Sequence, residues 1–569
     1  MVFFGSILFS LTLAAAAAAS PVTLHRDPFF PPVPVTAEGL LCRLPIPAVR
    51  EILCPRQGSS SPTVKTSIGT ATGVADGSSA VRYAVRYGQA SRWQPSSVVT
   101  QWQFPAGNVN ASQLPLACPQ DNIDASAMSE DCLSMILYVP TSVKAGSNVP
   151  TILWIHGGSF TSGSATGPGL DGSSLATATN SIVAVVQYRL GALGLMAPSG
   201  ETNLAIKDII TSLNFLQQVL PSFGGSTSKI TLAGQSSGAN MIRGMLAIPS
   251  ASSLFQSAIL QSDPMDYGFL SPGTQQTLQT YFNGLLPCSA TDTACLNNIT
   301  LSDLLSFQDN LSGSADSLDE STGLGEPLRL VRDGSLITTP LDSTAQFPSV
   351  SKPILLTNVK NEAGTSIFGG IPFDLDAGNY QNAVEGTFGQ PATNAILNNT
   401  NYALPAAAAA ANSSEATSTD ERPLLEKLGT DQIWRCPTWT FARNWVGNGG
   451  KAYVGLYVVG ASYPGNTDIT SFCGESGVVC HQDDIEIVFG TAPSPSSQQA
   501  ALISEMQARY KAFLQTGNPN VAGHATWTLA TTSDVHALTL GGSGEVAAGG
   551  CDPSFFGKVV PYDYQVFGI

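Results

Sequence analysis

A serine flanked by glycines, between a strand and a helix, is the feature that most constrains how this chain folds. Residues 234–238 read G-Q-S-S-G, follow an apolar run at 230–233 and precede a stretch at 239–243 that suits a helix. The glycines allow a strand to turn sharply into a helix without a Cβ clash. The pattern predicts a strand–turn–helix unit that exposes the hydroxyl of Ser236 as a nucleophile. A chance match in a chain with 55 glycines is the alternative, so other motifs must support this interpretation.

A second glycine motif supplies candidate hydrogen-bond donors for such a site. Residues 151–155 (T-I-L-W-I) predict a buried strand, and residues 156–160 (H-G-G-S-F) follow it directly. Backbone N–H groups must come close to the oxyanion that forms when a serine attacks a carbonyl, and glycines permit that approach. We expect the donors to be the amides of Gly158, Ser159 and Ser237. An ordinary glycine turn would explain either motif alone, but both motifs in this order favour one site.

Short apolar strands alternate with helix-length stretches along the chain. This alternation predicts an α/β fold with a mostly parallel central sheet and helices on both faces. In such sheets the functional groups gather at the carboxyl ends of the strands. The predicted strands are residues 152–155, 182–188, 229–233, 257–261, 353–358 and 452–458.

Composition narrows the classes of partner. The 569 residues are 43% hydrophobic and only 12% charged, which is enough apolar material for a large core. The formal net charge is −16 and no basic cluster stands out, which argues against nucleic acid or an anionic membrane surface as a partner. No segment after the N-terminal one reaches the roughly 18 uninterrupted apolar residues of a spanning helix, so we expect no stable membrane association.

Seven motifs in a consistent order resemble one family. The chain is similar to the type-B carboxylesterases of the carboxylesterase/cholinesterase/lipase family, and most like their secreted fungal members, over residues 64–566. The resemblance implies an α/β-hydrolase fold and a serine hydrolase that cleaves small-molecule carboxylic esters without a metal or an organic cofactor. The segments that carry it are 81–87, 92–93, 129–133, 154–158, 187–191, 223–225 and 234–238.

The resemblance also assigns a base. Of the five histidines, only His481 lies in a segment (480–490, C-H-Q-D-D-I-E-I-V-F-G) similar to the family's histidine motif, His-Gly-x-Glu-Leu followed by Phe-Gly. Gln482 replaces the glycine of that motif and Asp484 replaces its glutamate. A surface histidine beside acidic residues is the alternative.

The acid that orients the histidine must lie between Ser236 and His481 in the chain order of this fold. Residues 355–368 resemble the family's Asp-Glu-Gly-Thr-x-Phe segment, with one residue, Ala363, inserted before the glycine. Glu362 then occupies the position of the acid. Asp333 and Asp342 are the alternatives, because the insertion leaves the register open.

One departure from the family bears on the substrate. The family usually has glutamate immediately before the nucleophile, whereas this chain has Gln235. Loss of that carboxylate, together with the absence of tryptophan between Cys118 and Cys132, predicts that choline esters are poor substrates.

Features of the sequence point to export. Residues 1–19 form an apolar run ending in six alanines, which predicts a signal peptide. Residues 20–63 would then be an N-terminal extension, and residues 64–569 a single hydrolase domain. We expect a secreted, extracellular glycoprotein. Five N-x-S/T sequons fit this expectation: Asn110, Asn298, Asn310, Asn398 and Asn412.

Ten cysteines also suit an oxidising compartment. Sequence alone does not fix their connectivity. Pairing of neighbours closes short loops and resembles the family, which bridges the positions matching Cys118/Cys132 and Cys288/Cys295. The other expected pairs are Cys42/Cys54, Cys473/Cys480 and Cys436/Cys551. A zinc site is disfavoured because no C-x2-C pair and no suitably spaced histidine accompanies them.

Two other functions remain open from the sequence. One is a lipase or sterol esterase that acts at a lipid interface, and the other is a non-catalytic member of the fold used for adhesion or binding. Only thirteen residues separate Cys118 from Cys132, and four of these are acidic, which makes this segment a poor apolar lid. A complete set of nucleophile, base, acid and oxyanion donors disfavours a pure binding role.

Overall fold

A computed structural model describes residues 61–76, 79–323, 325–341, 346–405 and 420–569. Several sequence predictions therefore lie outside the described residues. These are the signal peptide, most of the N-terminal extension with Cys42 and Cys54, the alternative acid Asp342 and the sequon at Asn412.

A ten-stranded mixed sheet forms the centre of the described protein. Its order is β14-β13-β12-β11-β10-β8-β9-β7-β4-β3, and the strands from β14 to β9 are all parallel, whereas β9, β7, β4 and β3 pair antiparallel. The prediction of a mostly parallel sheet is confirmed. The strands are β1 Thr63–Thr66, β2 Gly69–Thr72, β3 Val74–Asp76, β4 Ala80–Arg86, β5 Gly88–Gln89, β6 Ser97–Val98, β7 Ser134–Pro140, β8 Val149–Ile155, β9 Ile182–Val186, β10 Gly225–Gln235, β11 Ser257–Gln261, β12 Pro353–Val359, β13 Lys451–Tyr457 and β14 Leu538–Leu540.

Helices cover both faces of this sheet and connect its parallel strands. The α-helices are α1 Ser173–Thr179, α2 Gly191–Leu195, α3 Leu204–Phe223, α4 Ser237–Leu246, α5 Pro272–Leu285, α6 Thr293–Asn298, α7 Leu301–Leu318, α8 Gly364–Gly370, α9 Ala377–Phe388, α10 Ala392–Asn398, α11 Arg422–Gly429, α12 Cys436–Gly447, α13 Asn466–Ile469, α14 Ile485–Phe489, α15 Ser497–Thr516 and α16 Asp563–Phe567. A π-helical turn, Thr430–Arg435, joins α11 to α12. Short 3₁₀ turns are Ala125–Ala127, Pro249–Leu254, Glu320–Thr322, Ser471–Gly474 and Gly549–Cys551.

The central strands are buried on both sides because they are apolar at nearly every position. All seven residues of β8 are buried. Successive side chains point to opposite faces of a sheet, and accordingly Leu153 and Ile155 belong to one apolar cluster whereas Ile152 and Trp154 belong to the other. This double burial fixes the register of the central strands and with it the positions of the loops at their carboxyl ends.

Four disulfides join the described cysteines, and none of these cysteines is free. The pairs are Cys118–Cys132, Cys288–Cys295, Cys436–Cys551 and Cys473–Cys480. Three of them close short loops, whereas Cys436–Cys551 ties α12 to a turn 115 residues further along the chain. None of the helices in the described ranges is long and apolar enough to cross a membrane.

Candidate active site

The turn around Ser236 is a sharp strand-to-helix corner. Strand β10 ends at Gln235, α4 begins at Ser237, and Ser236 between them has φ 58° and ψ −130°, a backbone conformation that L-residues rarely adopt. A Cβ at Gly234 would lie 2.7 Å from the carbonyl oxygen of Ile155, and one at Gly238 would lie 2.2 Å from the same oxygen. Glycine is therefore required on both sides of the serine, as the sequence predicts.

His481 and Glu362 are hydrogen-bonded partners. The Nδ1 atom of His481 lies 2.6 Å from Oε2 of Glu362. The second carboxylate oxygen of Glu362 accepts a hydrogen bond from the backbone N–H of Val359 at 2.9 Å, which orients the carboxylate. A carboxylate at Nδ1 favours the tautomer whose proton is on Nδ1 and whose lone pair is on Nε2, which is the form that can act as a base.

The inserted Ala363 leaves Glu362 directed at the histidine. Asn361 exchanges hydrogen bonds with Val479, through its backbone N–H at 2.9 Å and its side-chain oxygen at 3.1 Å. The N–H of Ala363 donates to the hydroxyl of Thr430 at 3.0 Å, in the π-helical turn. The extra residue is thus accommodated by neighbouring elements. The alternative acid Asp333 instead accepts backbone hydrogen bonds in its own turn and a bond from Asn203.

The loop that carries His481 is held by a disulfide and a buried carboxyl. Cys480, the residue before the histidine, is bonded to Cys473. The side chain of Asp483 accepts from the N–H of Cys480 at 2.7 Å and from the N–H of Tyr463 at 2.8 Å. Gln482, which replaces the family's glycine, keeps a positive φ of 77°. The loop therefore retains the conformation that glycine would adopt, at a cost of about 1–2 kcal/mol.

The environment of His481 favours its charged form. Burial lowers the pKa of the imidazole, but the hydrogen bond and the charge of Glu362, with smaller contributions from Asp484 and Glu326, raise it above its usual value of 6.5. An imidazole acts as a base only when it is neutral. We therefore expect any activity that depends on His481 to fall as the pH drops through this raised pKa.

The second ring nitrogen of His481 contacts a residue that the sequence did not identify as a neighbour. Nε2 lies 3.0 Å from the side-chain amide nitrogen of Gln235, which can donate to it. Among the described residues, no hydrogen bond joins His481 to the hydroxyl of Ser236. The amide of Gln235 thus occupies the lone pair that the serine hydroxyl would use, and a small side-chain movement is needed before proton transfer.

Three backbone N–H groups beside Ser236 are free to bind an oxyanion. The amides of Gly158, Ser159 and Ser237 donate to no acceptor in the described part of the chain. Gly158 and Ser159 both have positive φ, 116° and 51°. A Cβ at Gly157 would lie 2.9 Å from the Cβ of Ser236, so the loop packs directly against the nucleophile turn. Backbone N–H groups without an acceptor are the feature expected of an oxyanion site.

His156 begins this loop but is a structural residue. Its ring stacks on Tyr188 with 4.6 Å between centroids, and the Tyr188 hydroxyl donates to the His156 carbonyl at 2.8 Å. Burial lowers the pKa of His156 to about 4. A neutral, buried imidazole at this position packs against Tyr188 in the loop, so His481 is the candidate base of this cavity.

One cavity brings the predicted site residues together. It has a volume of about 340 Å³ and is lined by Gly158, Ser159, Ser236, Glu362 and His481. A second cavity of about 400 Å³ adjoins it behind the loop of residues 156–160, where Gln120, Ile123 and Gln482 contribute to its wall. The two cavities share Gly158, Ser162 and Gln482 in their walls, and Ser236 lines the first.

Two further side chains of the first cavity escaped the sequence analysis. Trp434, from the π-helical turn, places its ring centroid 5.5 Å from that of His481. Glu326 is 6% exposed and lines the same cavity. Neither residue belongs to a recognisable motif, so only the folded arrangement reveals them.

Two clusters of potential metal ligands occur in the described ranges, and neither lies in this cavity. Asp431 is near Cys436 and Cys551, but both cysteines are in a disulfide and cannot bind a metal. The other group, Asp534, His536 and Glu545, lies at the surface. The predicted sequons at Asn110, Asn298, Asn310 and Asn398 are all exposed.

Comparisons with known proteins agree with this geometry. A model described as "Carboxylesterase family" matches residues 60–549. "Liver carboxylesterase 1" of Mus musculus is 28% identical over 425 residues, which are 72% of this chain and 73% of that protein. "Crystal protein" of Dictyostelium discoideum is 27% identical over 405 residues, which are 69% of each chain.

A solved structure titled "PNB esterase" superposes with a TM-score of 0.65. It is 21% identical, and the match covers 84% of this chain and 96% of that one, which shows a common fold. The family match extends over most of the sequence. The chain therefore belongs to the carboxylesterase family, has the α/β-hydrolase fold and is a carboxylic ester hydrolase.

Proposed function

We propose that this protein is a secreted serine esterase that hydrolyses small carboxylic esters through an acyl-enzyme on Ser236. The Ser236 hydroxyl attacks the ester carbonyl while Nε2 of His481 takes its proton. Glu362 holds the resulting imidazolium, and the amides of Gly158, Ser159 and Ser237 bind the oxyanion.

The intermediate collapses with cleavage of the carbonyl–alkoxy bond, and the leaving alcohol takes the proton from His481. A water molecule then gives its proton to the same nitrogen and attacks the acyl carbon. Collapse of the second intermediate releases the carboxylic acid and returns the proton to Ser236. The residues of this chain supply the nucleophile, the base, the acid that holds the base and the oxyanion donors for all of these steps.

The observation that carries the proposal is the contact of 2.6 Å between His481 and Glu362, in the cavity that Ser236 also lines. The N–H groups of Gly158, Ser159 and Ser237, which have no acceptor among the described residues, lie beside Ser236. A protein that only binds a partner has no need for all of these groups in one place, which disfavours the adhesion alternative. Export is supported by the four disulfides and the exposed sequons of the described residues, together with the alanine-rich N-terminal segment of the sequence.

Labelling with a fluorophosphonate tests the nucleophile. We expect the probe to modify Ser236 and the variant Ser236→Ala to lose both labelling and ester turnover, by at least about 10³-fold. Ser366, which lines the same cavity, provides the matched control, because Ser366→Ala should keep both. Hydrolysis that survives Ser236→Ala at the wild-type rate would refute the assignment.

A further inference from the structure

Glu326 is a carboxyl group in the wall of the active-site cavity that the proposed mechanism does not use. The cavity has two carboxyl side chains, and the other, Glu362, is bound to His481. Glu326 belongs to the segment between α7 and β12 and is 6% exposed. Pro264, Tyr267 and Leu328 lie in the same wall, so the carboxyl group stands among largely apolar neighbours.

The hydrogen-bonding capacity of Glu326 is incompletely used. The hydroxyl of Ser159 is close enough to this carboxyl group to lower its pKa, but the Oε2 atom of Glu326 has no hydrogen-bond partner among the described residues. A buried carboxyl oxygen without a donor is energetically unfavourable. Such an oxygen at the edge of a substrate cavity indicates that the missing donor belongs to the substrate.

The nearby arginine does not supply this donor. Arg329 is buried, but its guanidinium donates to the backbone carbonyl oxygens of Gly268 at 2.6 Å, Glu326 at 2.9 Å and Ser321 at 2.9 Å, and also to that of Thr322. No ion pair joins Glu326 to a cationic side chain within the described ranges. Arg329 therefore shapes the segment through its backbone carbonyls, and its guanidinium does not supply the hydrogen bond that the carboxyl group lacks.

The carboxyl group of Glu326 gains and loses its proton near neutral pH. Burial raises its pKa to about 7, and the charge of Asp263 adds to this effect, whereas Arg329, His481 and the Ser159 hydrogen bond oppose it. A donor or a cation brought by a substrate would stabilise the ionised form. Binding of such a substrate would thus satisfy a group that the free protein leaves without a partner.

We propose that Glu326 is a specificity-determining residue, which accepts a hydrogen bond from a hydroxyl or a protonated amine carried by the ester near its scissile bond. This inference deepens the proposed function and rests on it. A site built to bind a donor discriminates strongly against the analogue that lacks it, because the buried acceptor then stays unpaired.

Matched substrates separate specificity from stability. One series consists of the p-nitrophenyl esters of 3-hydroxybutanoic, 3-aminobutanoic and 3-methylbutanoic acid, which differ at one carbon. A second series places the same three substituents on the leaving group of acetyl thioesters. We expect the wild-type protein to favour a donor-bearing member over the methyl member by roughly tenfold in kcat/KM in at least one series, which corresponds to about 1.4 kcal/mol.

Two variants of Glu326 test the assignment. Glu326→Leu should reduce the preference to within about twofold, by losing turnover of the donor-bearing ester and not of the methyl ester. Glu326→Gln keeps an acceptor oxygen without the charge, so it should retain a preference for hydroxyl and lose one for ammonium. These results also identify which of the two donors the site prefers.

If Glu326→Leu keeps the wild-type ratio of kcat/KM between the donor-bearing and the methyl ester, the inference is overturned. An equal fall in kcat/KM for all three esters would also overturn it, because that is the result expected of a purely structural residue. Fluorophosphonate labelling of Ser236 in each variant shows that the site is still assembled. If the proposed function itself is wrong, the wild-type protein will neither hydrolyse any of the esters nor react with the probe. The two failures are therefore distinguishable.

Discussion

At the scale of single residues, the side chain at position 235 contacts Nε2 of His481 and so influences the pKa of this histidine and the pH range of activity. A carboxylate 3.0 Å from Nε2, in place of the present amide, would stabilise the imidazolium. We therefore predict that Gln235→Glu raises the pKa of His481 further and moves the acidic limb of the kcat/KM profile to higher pH, by roughly one unit. Activity at acidic pH should fall accordingly, and pH–rate profiles of the two proteins measure the shift.

Gln235→Met is the control for this change, since it removes the hydrogen bond without adding charge and should move the acidic limb much less than Gln235→Glu does. The prediction fails if the limb moves to lower pH in Gln235→Glu, or if Gln235→Met moves it as far.

At the scale of elements, the segment closed by Cys118 and Cys132 determines how the site meets lipid. Gln120 exchanges hydrogen bonds of 2.8 Å with the backbone of Gly163, and Glu130 and Asp131 pair with Arg92 and Arg86. Of the apolar side chains in this segment, only Ile123 and Met128 are large. Full burial of both would contribute about 4 kcal/mol. So small an apolar area, in a segment held at both ends, should give little switching at an interface.

We therefore predict ordinary saturation kinetics on soluble short- and medium-chain esters. The rate of tributyrin hydrolysis should pass smoothly through the solubility limit, with p-nitrophenyl butyrate as the soluble reference. A sharp rise in rate at the limit, together with poor turnover of the soluble ester, would favour the lipase alternative.

At the scale of the whole molecule, buried carboxyl groups link stability to pH. Burial raises the pKa of Glu326, Glu426 and Asp483 to about 7 each and that of Asp484 to about 6. Because the unfolded chain releases these protons at lower pH, the folded protein binds more protons between about pH 4 and pH 7. These four groups therefore lower the free energy of unfolding as the pH rises through their folded-state values, and the raised pKa of His481 acts in the same direction. The lowered pKa of His156 opposes them between about pH 4 and pH 6.5, but it is a single group against four.

We predict a lower Tm at pH 8 than at pH 5, by several degrees, in thermal unfolding followed by circular dichroism. Glu426→Gln should flatten this dependence, because burial raises the pKa of Glu426 and the carboxyl group accepts hydrogen bonds from Thr430 and Asn361, which an amide oxygen can still accept in part. A Tm that rises between pH 5 and pH 8 would contradict this account of the buried acids.

The sequence predicted the fold, and the site residues that it proposed line one cavity, because both inferences depend on local patterns. Apolar strands bounded by turns defined the sheet, and glycines at fixed spacing marked the corners at Ser236 and Gly158. Glu362 needed the family resemblance, since the inserted Ala363 obscures the register and only its bond to Thr430 shows how the insertion fits.

The remaining features depend on tertiary contacts that no local pattern encodes. Gln235 and His481 are 246 residues apart in the chain, and their contact forms where the carboxyl end of β10 meets the loop that carries His481. No motif in the sequence distinguishes Glu326 from a surface acid, whereas in the structure it is buried and lines the cavity beside Tyr267.

Direct detection of the acyl-enzyme tests the central claim most closely. Brief exposure to p-nitrophenyl acetate, acid quenching and peptide mass spectrometry should reveal an acetyl group on Ser236 in the wild-type protein. Glu362→Gln should accumulate less of it per unit time, and Ser236→Ala none. An acetyl group on another residue, or full turnover without any acylated Ser236 peptide, would contradict the mechanism.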